Sequence, residues 1–109
     1  MILIDGVHVP QFIYGTAWKE NRTEHLVTLA LEQGFRGIDT ANQRKHYNEA
    51  AVGDAIKELI NRRSISRKDL FIQTKFTQLP GQDHRLPYDP HSSLPEQVEQ
   101  SFASSLAHL

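Results

Sequence analysis

Asp39, Tyr47 and Lys75 are the residues whose types and spacing add up to chemistry in this 109-residue chain. Asp39 closes the stretch Phe35-Arg36-Gly37-Ile38, which reads as a buried strand running on to Ala41. A polar loop follows it, Tyr47 lies at the end of that loop, and a helix begins at Asn48. Lys75 ends a further strand, Leu70 to Phe76. In parallel α/β folds, ligands sit at the carboxyl ends of strands. Neighbouring strands lie about 4.8 Å apart, which brings Asp39 and Lys75 within ion-pair reach with a phenol nearby. An ammonium beside a phenol favours the phenolate and draws its pKa down from about 10. A tyrosine tuned in this way can protonate a developing alkoxide, while the aspartate keeps the lysine charged and oriented. Each residue also has a plainer account. Asp39 after a strand serves equally as a turn-former or cap, Lys75 as a solvated charge, Tyr47 as a rim aromatic and Gly15 as a turn. Their joint placement at strand ends is what singles them out.

The bulk properties narrow the class. A chain of this length is one domain at most. Its 39% hydrophobic and 23% charged residues match globular usage. A formal net charge of -1 gives no electrostatic ground for a nucleic-acid partner. The absence of cysteine excludes disulfides and thiolate metal sites and fits a reducing compartment. The first residues lack the basic and apolar regions of a signal peptide, and no stretch reaches the roughly 18 apolar residues of a membrane span. A cytoplasmic location with no membrane partner is expected. No phosphate-binding glycine loop occurs, and His84 and His91 read as solvated loop residues, so no metal is expected.

The supporting elements follow in order. Ile2-Leu3-Ile4 and Val7-His8-Val9 flank Asp5-Gly6, a hairpin signal. Phe12-Ile13-Tyr14 is a strand stopped by Gly15-Thr16. Asn21 with Glu24 predicts a capped helix start, with Leu26, Val27, Leu29, Ala30 and Leu31 as the apolar face and Gly34 as its stop. Val52, Ala55, Ile56, Leu59 and Ile60 form the clearest amphipathic helix. Ser66 and Asp69 predict a single capped turn. Thr77 to Ser93 is a long polar loop, of the kind that is commonly functional. Tyr88 on that loop is a candidate substrate contact. Ser93 and Glu96 open a last helix with Val98, Phe102 and Leu106 striped along one face, and its serines are read as packing residues. Strands alternating with helices predict a parallel sheet with right-handed crossovers.

These residues resemble a known family. Phe12-Ile13-Tyr14-Gly15-Thr16-Ala17-Trp18 behind a hairpin is similar to the start of aldo-keto reductases. So are Gly34-Phe35-Arg36-Gly37-Ile38-Asp39-Thr40-Ala41, then Tyr47-Asn48-Glu49 and Val52-Gly53-Asp54-Ala55-Ile56, and Asp69-Leu70-Phe71-Ile72-Gln73-Thr74-Lys75. The resemblance implies an N-terminal β-hairpin followed by the first three β/α units of a TIM (β/α)8 barrel. It implies reduction of a small-molecule aldehyde or ketone by hydride from NADPH. Carried over by position, Tyr47 is the acid, Asp39 and Lys75 tune it, and Gly15, Thr16 and Asp39 lie near the cofactor. The pattern departs from the family in the loop. The family's tyrosine lies five residues after the aspartate, three before the glutamate. Here His46 stands three before Glu49, leaving Tyr47 and His46 as alternatives for the acid position.

The family's catalytic histidine ends a fourth strand, and none is read before Leu109; His108, on the last helix, is not that residue. The expectation is therefore an incomplete barrel over residues 1–109, inactive by itself, with open sheet edges that favour self-association. A contrasting expectation is a truncated, non-catalytic product that binds another polypeptide through those edges.

Overall fold

The computed structural model describes residues 2–109. Strands β1 (Ile2–Ile4) and β2 (Val7–Val9) form the antiparallel hairpin that Asp5-Gly6 signals. Both turn residues adopt positive φ, 47° at Asp5 and 79° at Gly6, which suits the right-handed twist of the two strands. A separate parallel sheet is ordered β3 (Ile13–Gly15), β4 (Gly37–Asp39) and β5 (Phe71–Gln73), with Gly15, Asp39 and Gln73 in register at its carboxyl end. Helices α1 (Thr23–Glu32), α2 (Glu49–Asn61) and α3 (Leu94–His108) connect and follow the strands.

The regular strands are shorter than the sequence suggests, but their hydrogen bonding runs further. Thr16 N–H reaches Asp39 O at 3.1 Å, Thr40 N–H reaches Gln73 O at 2.8 Å and Asn42 N–H reaches Lys75 O at 3.1 Å. The site residues beyond the strands are thus still held by main chain.

The core lies between sheet and helices. Ile38 on the central strand is fully buried with Val27 and Leu31 of α1 and Val52, Ala55, Ile56 and Leu59 of α2. Tyr14 and Ile72, its register partners, pack against that cluster. Side chains alternate along a strand, so Ile38 faces the helices and Asp39 takes the opposite face.

Two helix starts differ in kind. Asn48 caps α2 by accepting the N–H of Ala51 at 3.2 Å. Asn21 caps nothing: a 3-10 turn at Glu20–Arg22 precedes α1, which begins at Thr23 with no side-chain cap. Trp18 and Glu20 take positive φ, 63° and 52°, and this tight reversal displaces the helix start past Asn21. Leu29, expected on the buried face of α1, is 43% exposed. The C-terminus behaves as read: Gly34 at φ 105° lets Phe35 N–H reach back to Ala30 O at 3.1 Å. The expected turn at Ser66 forms over Arg67–Asp69, closed by Asp69 N–H to Ser66 O at 3.0 Å rather than by a side-chain cap.

Helix α3 inverts the usual amphipathic arrangement. Ser93 caps it, accepting the Glu96 N–H and donating to Glu96 Oε1 at 2.8 Å. Ser101 and Ser105 are its buried residues, while Val98, Phe102 and Leu106 are 41%, 59% and 66% exposed. The apolar stripe therefore exists but faces solvent. Phe12 and Trp18 add exposed apolar surface near β3. Such surface is an association hazard. Replacing Phe102 and Leu106 with Gln should therefore lower the average mass seen by light scattering. It should change stability by no more than about 0.5 kcal/mol, since both sites are exposed.

Candidate active site

At the carboxyl end of the sheet, Lys75 Nζ lies 2.8 Å from Asp39 Oδ1 and 2.7 Å from Oδ2. Gln73 Nε2 donates to Oδ1 at 2.7 Å. The carboxylate is thereby held by an ammonium and an amide from the adjoining strand segment. The ion pair opens to solvent, with side-chain exposures of 42% for Lys75 and 22% for Asp39. Gln73 was not anticipated, although period-two alternation already places it on the face of Lys75.

Lys75 Nζ also lies over the Tyr47 ring, 5.4 Å from its centroid. Tyr47, Asp39 and Lys75 are therefore neighbours, as their order along the chain suggests. His46 points into a different set of contacts. Its ring stacks on Trp18 at a centroid distance of 4.0 Å, and its Nδ1 lies 3.1 Å from Gln43 Nε2.

The loop before Tyr47 is pinned throughout. Gln43 accepts the His46 N–H through Oε1 at 2.7 Å, and its carbonyl accepts the Tyr47 N–H at 3.1 Å. Asn42 donates through Nδ2 to Ser101 O at 2.9 Å and accepts from Gln82 Nε2 at 3.1 Å. Both Asn42 and Gln43 are buried. Loop length alone gave no sign of this; two amides directly after a strand are the signal that was available.

Gly15 and Thr16 have separate surroundings. Apart from the adjoining residues, no atom lies within 4 Å of where a Cβ on Gly15 would sit, so the end of β3 is open beside the Asp39–Lys75 pair. Thr16 is fully buried and donates through Oγ1 to Asp39 O at 2.8 Å, which fixes the end of β4.

The long loop folds onto itself and includes a short 3-10 turn, Leu79–Gly81. Tyr88 does not face the site: it is buried, packs on Phe76 and donates to Thr77 O at 2.8 Å. Its phenol pKa is raised by burial. Arg85 holds the Asp83 carboxyl down to about 2, mainly through side-chain hydrogen bonding, and reaches Arg44 O at 3.2 Å. A depressed carboxyl pKa stabilises the folded state above about pH 4, and that contribution disappears as pH falls through about 2.

Glu49, at the first turn of α2, is the largest departure from the sequence reading, where it served only to align the loop. It is 3% exposed and receives hydrogen bonds from Thr74 Oγ1 and, at 2.9 Å, from Ser105 Oγ; His108 Nδ1 lies 2.7 Å from Oε1. Ser105, read as packing, is also a ligand of this carboxylate. Among the described residues no group of three or more His, Cys, Asp or Glu side chains could hold a metal ion.

Comparison with known proteins identifies the family and the fold. The model of the aldo/keto reductase family matches residues 12–109. The chain belongs to the aldo/keto reductase family. An oxidoreductase of Bacillus subtilis, YtbE, is 43% identical over 75 residues, covering 67% of this chain and 26% of that protein. The methylglyoxal reductase DkgA of Escherichia coli is 40% identical over 87 residues, covering 78% of this chain and 28% of that protein. Among solved structures, the aldose reductase of Schistosoma japonicum superposes with TM-score 0.74 at 27% identity, over 96% of this chain and 31% of that one. The aldo-keto reductase of the silkworm Bombyx mori gives TM-score 0.74 at 27% identity, over 100% of this chain and 32% of that one. This aldo/keto reductase chain thus spans about a quarter to a third of the length of these relatives. Its architecture is the hairpin and three β/α units of their TIM barrel.

Proposed function

We propose that residues 1–109 supply the acid-bearing edge of a reductase that converts small aldehydes or ketones to alcohols with NADPH. The observation that carries this reading is the convergence of Asp39, Lys75 and Tyr47 at adjoining strand ends. The open space at Gly15, beside an accessible carboxylate and ammonium, fits the flat, polar nicotinamide-ribose end of the cofactor. Gly15, Thr16 and Asp39 are the residues that would hold it. Gly15 leaves room, Asp39 offers acceptors, and Thr16 acts through the main chain it fixes. When bound, NADPH supplies the hydride that the carbonyl carbon receives.

Tyr47 gives its phenolic proton to the carbonyl oxygen as negative charge develops there. The phenolate left behind is stabilised by the Lys75 ammonium and regains its proton from solvent. Asp39 and Gln73 keep Lys75 and its partner carboxylate in place. Tyr47 is favoured over His46 because the lysine lies over the Tyr47 ring, whereas His46 is occupied by Trp18 and Gln43. The name of the Escherichia coli relative makes methylglyoxal the first carbonyl to try. A cytoplasmic setting agrees with the lack of cysteine, and among the described residues no helix is long and apolar enough to cross a membrane.

A second reading is favoured by the exposed stripe on α3 and by β3 and β5 standing at the edges of the sheet among the described residues: a non-catalytic chain that binds another polypeptide. One assay separates the two. Methylglyoxal-dependent NADPH oxidation is measured on residues 1–109 alone and on the same residues joined to the remaining barrel of a relative. The expected result is no turnover alone and turnover in the completed barrel. A folded completed barrel without turnover would overturn the reductase reading.

A further inference from the structure

Burying a carboxylate is costly unless polar partners replace water. At Glu49 those partners belong to other elements: Thr74 just beyond β5, and Ser105 and His108 on α3. Their positions in the chain matter. Glu49 follows Tyr47 by two residues, and Thr74 immediately precedes Lys75. The Thr74–Glu49 hydrogen bond therefore ties the backbone carrying the proposed acid to the backbone carrying the lysine that tunes it. A second tie crosses the start of the loop, where Asn42 N–H reaches Lys75 O at 3.1 Å. Between these two bonds the loop residues 43–48 span a fixed gap.

We propose that Glu49 is a positioning residue. Through Thr74, its buried carboxylate sets the distance between the Tyr47 ring and the Lys75 ammonium, while Ser105 and His108 of α3 supply the polar partners that let the carboxylate stay buried. The catalytic consequence rests on the reductase reading; the mechanical coupling is a property of the folded chain itself. A purely structural role would be different, since Glu49 would then be only a buried carboxylate to be satisfied. Thr74 and Ser105 would be equivalent in that case, because both donate to the same oxygen, Oε2.

The chain contains its own reporters. Lys75 Nζ lies over the Tyr47 ring, 5.4 Å from its centroid, so the ring current is expected to displace the protons on the adjoining ε-carbon upfield. Trp18, the single tryptophan, stacks on His46 three residues before Glu49 and reports the loop by its emission. The experiment compares Thr74→Val, Ser105→Ala and Glu49→Gln in residues 1–109 by proton NMR and fluorescence. Thr74→Val and Glu49→Gln should each lose about half or more of the Lys75 upfield displacement. Ser105→Ala should lower the unfolding temperature and keep that displacement. Glu49→Gln should in addition shift the Trp18 emission. If Glu49→Gln does not fold, Thr74→Val decides alone, because it removes only the hydroxyl. Unchanged Lys75 displacement in folded Thr74→Val would overturn the proposal, as would an equal loss in Ser105→Ala. Absence of carbonyl reduction in a completed barrel would sink the reductase reading and leave this result standing.

Discussion

Lys75→Met is expected to lower carbonyl reduction in the completed barrel by about 10²- to 10⁴-fold, the range that a positioned proton-transfer group contributes. Methionine keeps much of the stem's volume and removes the ammonium. Asp39 then loses its contacts at 2.7 and 2.8 Å and, among the described residues, retains Gln73 as its side-chain donor. The Tyr47 phenolate would have no cation beside it, so the transition state in which proton leaves tyrosine rises in energy. NADPH affinity should change little, because Gly15 and the Thr16–Asp39 main-chain bonds do not depend on the ammonium. The check is kcat with methylglyoxal beside a separate fluorescence titration with NADPH. Undiminished kcat would remove Lys75 from the mechanism; a matching loss of cofactor affinity would make it a binding residue instead.

Ile38→Ala should be the most damaging single truncation on the central strand. Ile38 is fully buried, its register partners Tyr14 and Ile72 flank it, and the buried faces of α1 and α2 close over it. Removing a buried isoleucine side chain to alanine costs about 2–5 kcal/mol, part of it for the cavity left behind. Domains of this size lose roughly 4–8 °C of melting temperature per kcal/mol, which predicts a fall of about 8 to 40 °C. Leu29→Ala is the control: at 43% exposure it should change stability by no more than about 0.5 kcal/mol. Thermal unfolding followed by circular dichroism measures both. Equal losses at the two positions would contradict the packing of α1 described above.

That contrast shows where a linear pattern stops being informative. Leu29 and Val27 are both apolar residues in one helical run, and periodicity cannot tell which side of α1 meets the sheet. The 3-10 turn at Glu20–Arg22 sets the phase of that helix, and it depends on positive φ at Trp18 and Glu20, which neither residue type announces. Local chemistry is legible where a motif carries its own geometry. Asp5-Gly6 specifies its hairpin, Gly34 its helix stop and Ser93 with Glu96 its cap, because each acts on backbone within a few residues.

Helix α3 shows the opposite case. Its stripe of Val98, Phe102 and Leu106 is regular, yet the face that meets the rest of the chain is Ser101 and Ser105. Contact with Glu49, 56 residues earlier than Ser105, selects that face. A pattern internal to the helix holds no information about that partner.

For the site, the sequence by itself determined the type and order of the chemical groups: a carboxylate ending one strand, a phenol after a loop, an ammonium ending the next strand. It did so because strand ends in a parallel sheet lie side by side, so order along the chain becomes proximity. Tertiary structure alone decided which aromatic residue keeps company with the lysine, through the stacking of His46 on Trp18 and the clamp of Gln43. It also decided that Tyr88 is a buried anchor, and that Glu49 bridges strand, loop and helix. Those outcomes depend on side chains far apart in sequence competing for a few buried hydrogen-bonding positions, and that competition is resolved only once the chain has folded.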